Sequence, residues 1–127
     1  MAFRFHKHYS LEEARALLPQ VRDWLKQIVQ FREQLSQSEQ KLGQLLAAGN
    51  DLGGELVNNW IRTLSRIKTT LQEFQERQIQ IKDLDRGLID FPAVIGGKEV
   101  FLCWEQDEED IEYWHDLDTG YAGRERL

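Results

Sequence analysis

The sequence contains a single cysteine, Cys103, which excludes an intramolecular disulfide, a CxxC redox pair and any multi-cysteine zinc site. No apolar run approaches the roughly 20 residues that cross a bilayer, and the polar opening MAFRFHKHYS lacks the apolar centre of a secretory signal. These absences predict a cytoplasmic protein with no membrane association. A basic excess is also missing. The net charge is −6, and it is unevenly placed: residues 1–82 carry 12 Lys/Arg against 9 Asp/Glu, whereas residues 83–127 carry 4 against 13. The acidic end would repel a phosphate backbone and the other end interleaves both signs, so nucleic acid is not the expected partner. There is no internal repeat of 20–50 residues and no low-complexity linker. The 127 residues, 41% hydrophobic and 30% charged, fit one domain (1–127) of globular or coiled-coil type.

What is present begins with a capping box. In Ser10-Leu11-Glu12-Glu13, the Ser10 hydroxyl can accept from the Glu13 amide while Glu13 reaches back to the Ser10 amide, so a helix starts here. Leu11, Ala14, Leu18, Val21, Leu25, Ile28, Leu35, Leu42 and Leu45 follow 3-4 spacing, with Phe31 beside the seam and Ser38 interrupting it. Pro19 lies inside the pattern, removes one donor and predicts a kink. Gly49-Asn50-Asp51-Leu52-Gly53-Gly54 is the strongest breaker run and predicts a reversal. A second helix is predicted from about Glu55 to Lys82 on Val57, Trp60, Leu64, Ile67, Leu71, Phe74 and Ile81. Trp24, Phe31, Trp60 and Ile61 widen the apolar faces beyond what two helices cover, which predicts self-association as a homodimer or higher homo-oligomer.

After Lys82 the period changes from helical to alternating. Leu88–Ile95, Gly96-Gly97 and Lys98–Glu105 read as a β-hairpin, since paired glycines supply the positive φ of a two-residue turn. Pro92 makes the first strand an edge or an interrupted one. Asp110–Leu117 is a predicted third strand. The expected fold class is therefore α+β: a long antiparallel helical hairpin over 10–82, with a small C-terminal antiparallel sheet of two to three strands and a tail over 83–127.

Strand pairing decides which side chains share a face. With Glu105 opposite Asp110 across a four-residue turn, Trp104 faces Ile111, Leu102 faces Tyr113 and Val100 faces His115. Cys103 then points away from His115, and a cysteine–histidine nucleophile–base pair cannot form within the hairpin. A shift of one residue would restore it.

The strings HYSLEEARALLP (8–19), KDLDRGLIDFPA (82–93), GGKEVFLCWE (96–105) and YWHDLDTGYAGRERL (113–127) together resemble a small bacterial family known as domain of unknown function 2203. The resemblance covers both ends of the chain and the helical middle in layout. It implies no reaction, substrate or cofactor.

Among candidate site residues, Arg86 and Arg124 offer planar donors for an anion beside an aromatic wall of Trp104, Tyr113, Trp114 and Tyr121, with Asp85 and Asp90 flanking the helix-to-strand junction. Gly87 is expected to end the second helix in a left-handed conformation. His115, Asp116 and Asp118 provide an imidazole and two carboxylates for a divalent metal, without the spacing of a calcium loop or an HExxH site. The leading expectation is a non-catalytic binding or assembly module with no cofactor. Its helices self-associate, and its acidic, aromatic C-terminal unit recognises a cationic patch on a protein partner. The alternative is a small enzyme, ligand-binding or metal-binding protein with Asp83, Asp85, Arg86, Asp90, Cys103, His115 and Asp116 at the junction of helix and sheet.

Overall fold

A computed structural model describes residues 2–49 and 54–127. Two helices, α1 (Leu11–Ala47) and α2 (Gly54–Glu76), precede five strands: β1 (Gln80–Asp83), β2 (Leu88–Ile95), β3 (Lys98–Glu105), β4 (Tyr113–Asp116) and β5 (Glu125–Arg126). The chain divides into two compact units, Met1–Asp23 with Glu73–Leu127, and Trp24–Gln72. Most of the expected reversal at 49–54 lies at residues 50–53, outside the described residues.

The capping box forms as read: the Glu13 amide donates to Ser10 Oγ at 3.1 Å, and the Ser10 amide donates to Glu13 Oε1 at 3.2 Å. From there α1 runs unbroken through Pro19 for 37 residues. Within Trp24–Gln72 the two helices lie side by side. Arg66 sits over the Phe31 ring and Trp60 Nε1 donates to Glu39, so positions later in α1 meet positions earlier in α2, as an antiparallel pair requires. This unit buries Trp24, Leu25 and Ile28. Phe31, Leu35, Leu42, Leu45, Val57, Trp60 and Ile67 are only half-buried, and Val29, Leu46, Ile61 and Leu64 are exposed.

The second helix stops at Glu76, six residues before the expected Lys82. Its end is a Schellman motif: Gln78 takes a positive φ of 56°, its amide donates to the Gln75 carbonyl, and the Ile79 amide reaches back to the Phe74 carbonyl at 3.0 Å. Phe74 and Ile79, the two apolar residues such a motif brings together, are both buried. A left-handed non-glycine residue costs about 1–2 kcal/mol. The Gln78 side chain offsets part of this by accepting the His6 and Lys7 amides at 2.8 and 2.7 Å. The residues freed from the helix become β1.

The sheet is an antiparallel meander in the order β1-β2-β3-β4-β5, so it has five strands where two to three were expected. The Gly96-Gly97 turn forms with φ of 58° and 79°, and it pairs Ile95 with Lys98. Pro92 sits in an unbroken β2, beyond the last residue that β1 covers; there its carbonyl accepts the Tyr9 amide at 2.7 Å. The missing N–H thus faces no strand, which is why the position tolerates proline. Gly87 is left-handed as expected, φ 63°, but it closes the β1–β2 turn rather than a helix.

Both faces of β2 and β3 are covered, so the two strands read as continuous apolar runs rather than alternating ones. One face carries Ile89, Phe91, Ala93, Val100, Leu102 and Trp104. Tyr9 meets Phe91 edge-on, and Arg22 of α1 stacks 4.8 Å from the Trp104 ring centroid. Arg22 also donates to the carbonyls of Gln106 and Glu108, and Arg15 to that of Ile111, which pins the 106–112 loop onto the start of α1. The other face carries Asp90, Phe101, Cys103, Tyr113 and His115.

Candidate functional site

The β3–β4 register differs by one residue from the expected one. Phe101 is opposite His115, Leu102 opposite Trp114 and Cys103 opposite Tyr113. The connection is not a four-residue turn. Glu108 bonds back to Glu105, the Trp104 indole donates to the Glu108 carbonyl at 3.0 Å, and Ile111 is drawn fully into the core before β4 begins. The shift moves His115 onto the face that Cys103 occupies.

On β2, Asp90 lies directly across from Cys103. Three adjacent strands therefore place Asp90, Cys103 and His115 on one face, with one donor atom from each lying within 4.8 Å of the others. All three are buried, at 1%, 0% and 2% exposure. His115 Nδ1 lies 2.7 Å from the Asp116 carbonyl, and since a carbonyl only accepts, this nitrogen carries a proton. Nε2 stands 3.0 Å from both carboxylate oxygens of Asp90. One further proton must lie between ring and carboxylate, giving a pair that is neutral as a whole. Burial raises the Asp90 carboxyl above its usual range, against the opposing pull of His115, Lys82 and Cys103.

The Cys103 thiol is pushed up to about 12, first by burial and then by the Asp90 carboxylate, with Arg124 pulling the other way. At neutral pH it is a thiol, and both nitrogens of His115 are committed elsewhere. A cysteine–histidine dyad has its geometry here, but its sulfur is protonated and its imidazole already partnered. What the trio offers chemically is a carboxylate, a sulfur and an imidazole nitrogen converging on one point, the donor types that hold a metal ion.

Above this cluster lies a layer of arginine and tyrosine. Arg124 stacks 4.0 Å from the Tyr113 centroid and 4.2 Å from that of Tyr121, and Arg86 stacks 4.4 Å from Tyr121. The two arginines expected as an anion clamp thus converge on one ring. Their charges are met by carboxylates of the chain itself, Arg86 by Glu105 at 2.8 Å and Arg124 by Glu108 at 3.0 Å. Burial works against the Arg124 charge, but Glu108 outweighs it and holds that group above its ordinary range.

The remaining candidates separate. Trp104 is buried on the opposite face of the sheet. Trp114 is half-buried and paired with Glu125 of β5, and Asp85 is exposed in the β1–β2 turn. The Asp116 carboxylate is 2.7 Å from Lys98 and that of Asp118 faces Arg4 at 3.3 Å, so the His115 ring meets the Asp90 carboxylate and Cys103 rather than the carboxylates of Asp116 and Asp118. The sequence places Asp90 and His115 together only in the alternative enzyme, ligand- or metal-binding reading, among Asp83, Asp85, Arg86, Cys103 and Asp116. The signal shared by Asp90 and His115 was an ionisable residue within a strand whose neighbours are apolar, a placement that requires a buried partner.

The fold and this cluster define a class: a helical hairpin joined to a five-stranded antiparallel meander that encloses an Asp–His–Cys trio. The chain belongs to the family described as "Uncharacterized conserved protein (DUF2203)", which matches residues 7–127. No curated protein and no solved structure matches it. Among the described residues, no helix is long and apolar enough to cross a membrane.

Proposed function

We propose that this protein is a cytoplasmic, non-catalytic assembly module whose helical hairpin associates with a second copy of itself. The observation that carries the reading is the apolar surface left on the Trp24–Gln72 unit. Ile61 and Leu64, one turn apart on α2, are 49% and 38% exposed, Val29 of α1 is 47% exposed, and the seam residues from Phe31 to Leu45 are half-buried. Side chains at that spacing form a continuous stripe, and covering a leucine or isoleucine fully contributes about 1.5–3 kcal/mol. A second hairpin supplies a matching stripe of the same chemistry, as in a four-helix bundle.

The C-terminal half, with its 13 acidic residues against 4 basic ones, supports a recognition surface for a cationic patch on a protein partner. The exposed acids of the 106–112 loop are its natural centre, being held in place by Arg15 and Arg22.

Sedimentation velocity of the wild-type chain and of an Ile61→Lys/Leu64→Lys double variant tests the first part. The wild type is expected to sediment as an oligomer and the variant as a folded monomer. A wild type that stays monomeric at high micromolar concentration rejects the reading. For the acidic surface, the affinity for a partner is expected to fall steeply with salt.

A further inference from the structure

We propose that Asp90, Cys103 and His115 bind one divalent transition-metal ion of the zinc class. The three donors differ in type, and all lie within 4.8 Å of one another on neighbouring strands of one sheet. Around a four-coordinate zinc with bonds of about 2.0–2.3 Å, ligand atoms sit roughly 3.3–3.8 Å apart, so a contraction of about 1 Å closes the set. Asp90 and Cys103 are cross-strand partners, and His115 faces Phe101, two residues from Cys103 along β3. The positions of all three are therefore fixed by backbone pairing rather than by a loop.

The imidazole is oriented for this role. Its Nδ1–H donates to the Asp116 carbonyl at 2.7 Å, which is how metal-bound histidines are held, and it directs Nε2 into the trio. The Arg124 guanidinium reaches Cys103 from the partly exposed end of the cluster. There it is placed to donate to a coordinated thiolate.

A dication leaves the site neutral. Without metal, the Asp90–His115 pair shares one proton and is neutral, and the Cys103 thiol is neutral as well. Entry of M2+ expels the shared proton and the thiol proton to solvent. Carboxylate, thiolate, neutral imidazole and dication then sum to zero again. A trivalent ion, with only these two protons to displace, would leave net positive charge in a site that excludes water. Sulfur and imidazole favour zinc or cobalt over magnesium or calcium. Three protein ligands leave one position of a tetrahedral ion for water or an incoming group.

The test is a titration of the full chain, freed of metal, with Co2+. One ion per chain is expected, with a thiolate-to-cobalt charge-transfer band, tetrahedral d–d absorption, release of two protons per ion, and displacement by an equal concentration of Zn2+. Cys103→Ser is expected to lose the charge-transfer band while keeping its circular dichroism. A wild-type spectrum without that band overturns the proposal whether or not the variant folds. So does equal Co2+ binding by Cys103→Ser, which assigns the ion to surface carboxylates.

Discussion

His115 Nε2 stands 3.0 Å from each carboxylate oxygen of Asp90, with both side chains 2% exposed or less, while Nδ1 donates to the Asp116 carbonyl. The pair therefore holds one proton in a place that water does not reach. Removing His115 leaves a buried carboxyl without its partner, so His115→Ala is expected to lower stability by about 3–5 kcal/mol in urea unfolding. Asp90→Asn behaves differently. The amide N–H donates to Nε2 in place of the shared proton, and the expected cost is about 1 kcal/mol.

Cys103 is fully buried, and its thiol is pushed up to about 12. The native, metal-free protein is expected to resist iodoacetamide and Ellman's reagent at pH 7.5, and the denatured chain to react stoichiometrically. Rapid modification of the native form would show that the sheet opens readily on this face.

Glu99 ties the N-terminal segment to the sheet. Its two oxygens accept the Arg4 amide at 2.7 Å, the Phe5 amide at 3.0 Å and the His8 ring at 2.7 Å. Burial pushes this carboxyl up, but the three hydrogen bonds outweigh it and leave it below its ordinary range. A carboxylate with a lowered folded-state pKa stabilises above its unfolded pKa, and that contribution disappears as pH falls through the folded value. The amides of Arg4 and Phe5 are therefore expected to keep their protection from hydrogen exchange down to about pH 4.5 and to lose it below. Glu99→Gln removes the pH dependence.

Gly87 combines a φ of 63° with a close neighbour: a Cβ added there would lie 2.6–2.7 Å from side-chain carbons of Gln106. The Gln106 amide also donates to the Gly87 carbonyl, so the two segments cannot simply part. Gly87→Ala is expected to cost about 2 kcal/mol or more, with roughly half of it from the backbone conformation. Denaturant unfolding of Gly87→Ala beside Gly96→Ala separates the two contributions, because a Cβ at Gly96 meets nothing within 4 Å.

Sequence pattern revealed the parts of this fold that rest on local chemistry. The Ser10–Glu13 box and the Gly96-Gly97 turn each depend on a few adjacent residues, and the hairpin strands 88–95 and 98–105 formed with the bounds read from them. The end of α2 was hidden because Gln78, not glycine, adopts the left-handed conformation, held by amides of a segment some 70 residues earlier. With the helix read too long, β1 disappeared into it. The β3–β4 register depended on Ile111 entering the core and on Trp104 bonding the Glu108 carbonyl, both tertiary choices. That single residue separates a sheet with Cys103 and His115 on opposite faces from one that gathers them with Asp90.

Native mass spectrometry of the full chain measures most directly whether the hairpin assembles with itself. The expected spectrum shows a dimer or larger homo-oligomer for the wild type and a monomer for Ile61→Lys/Leu64→Lys. A wild type that remains monomeric across the accessible concentration range would contradict the account.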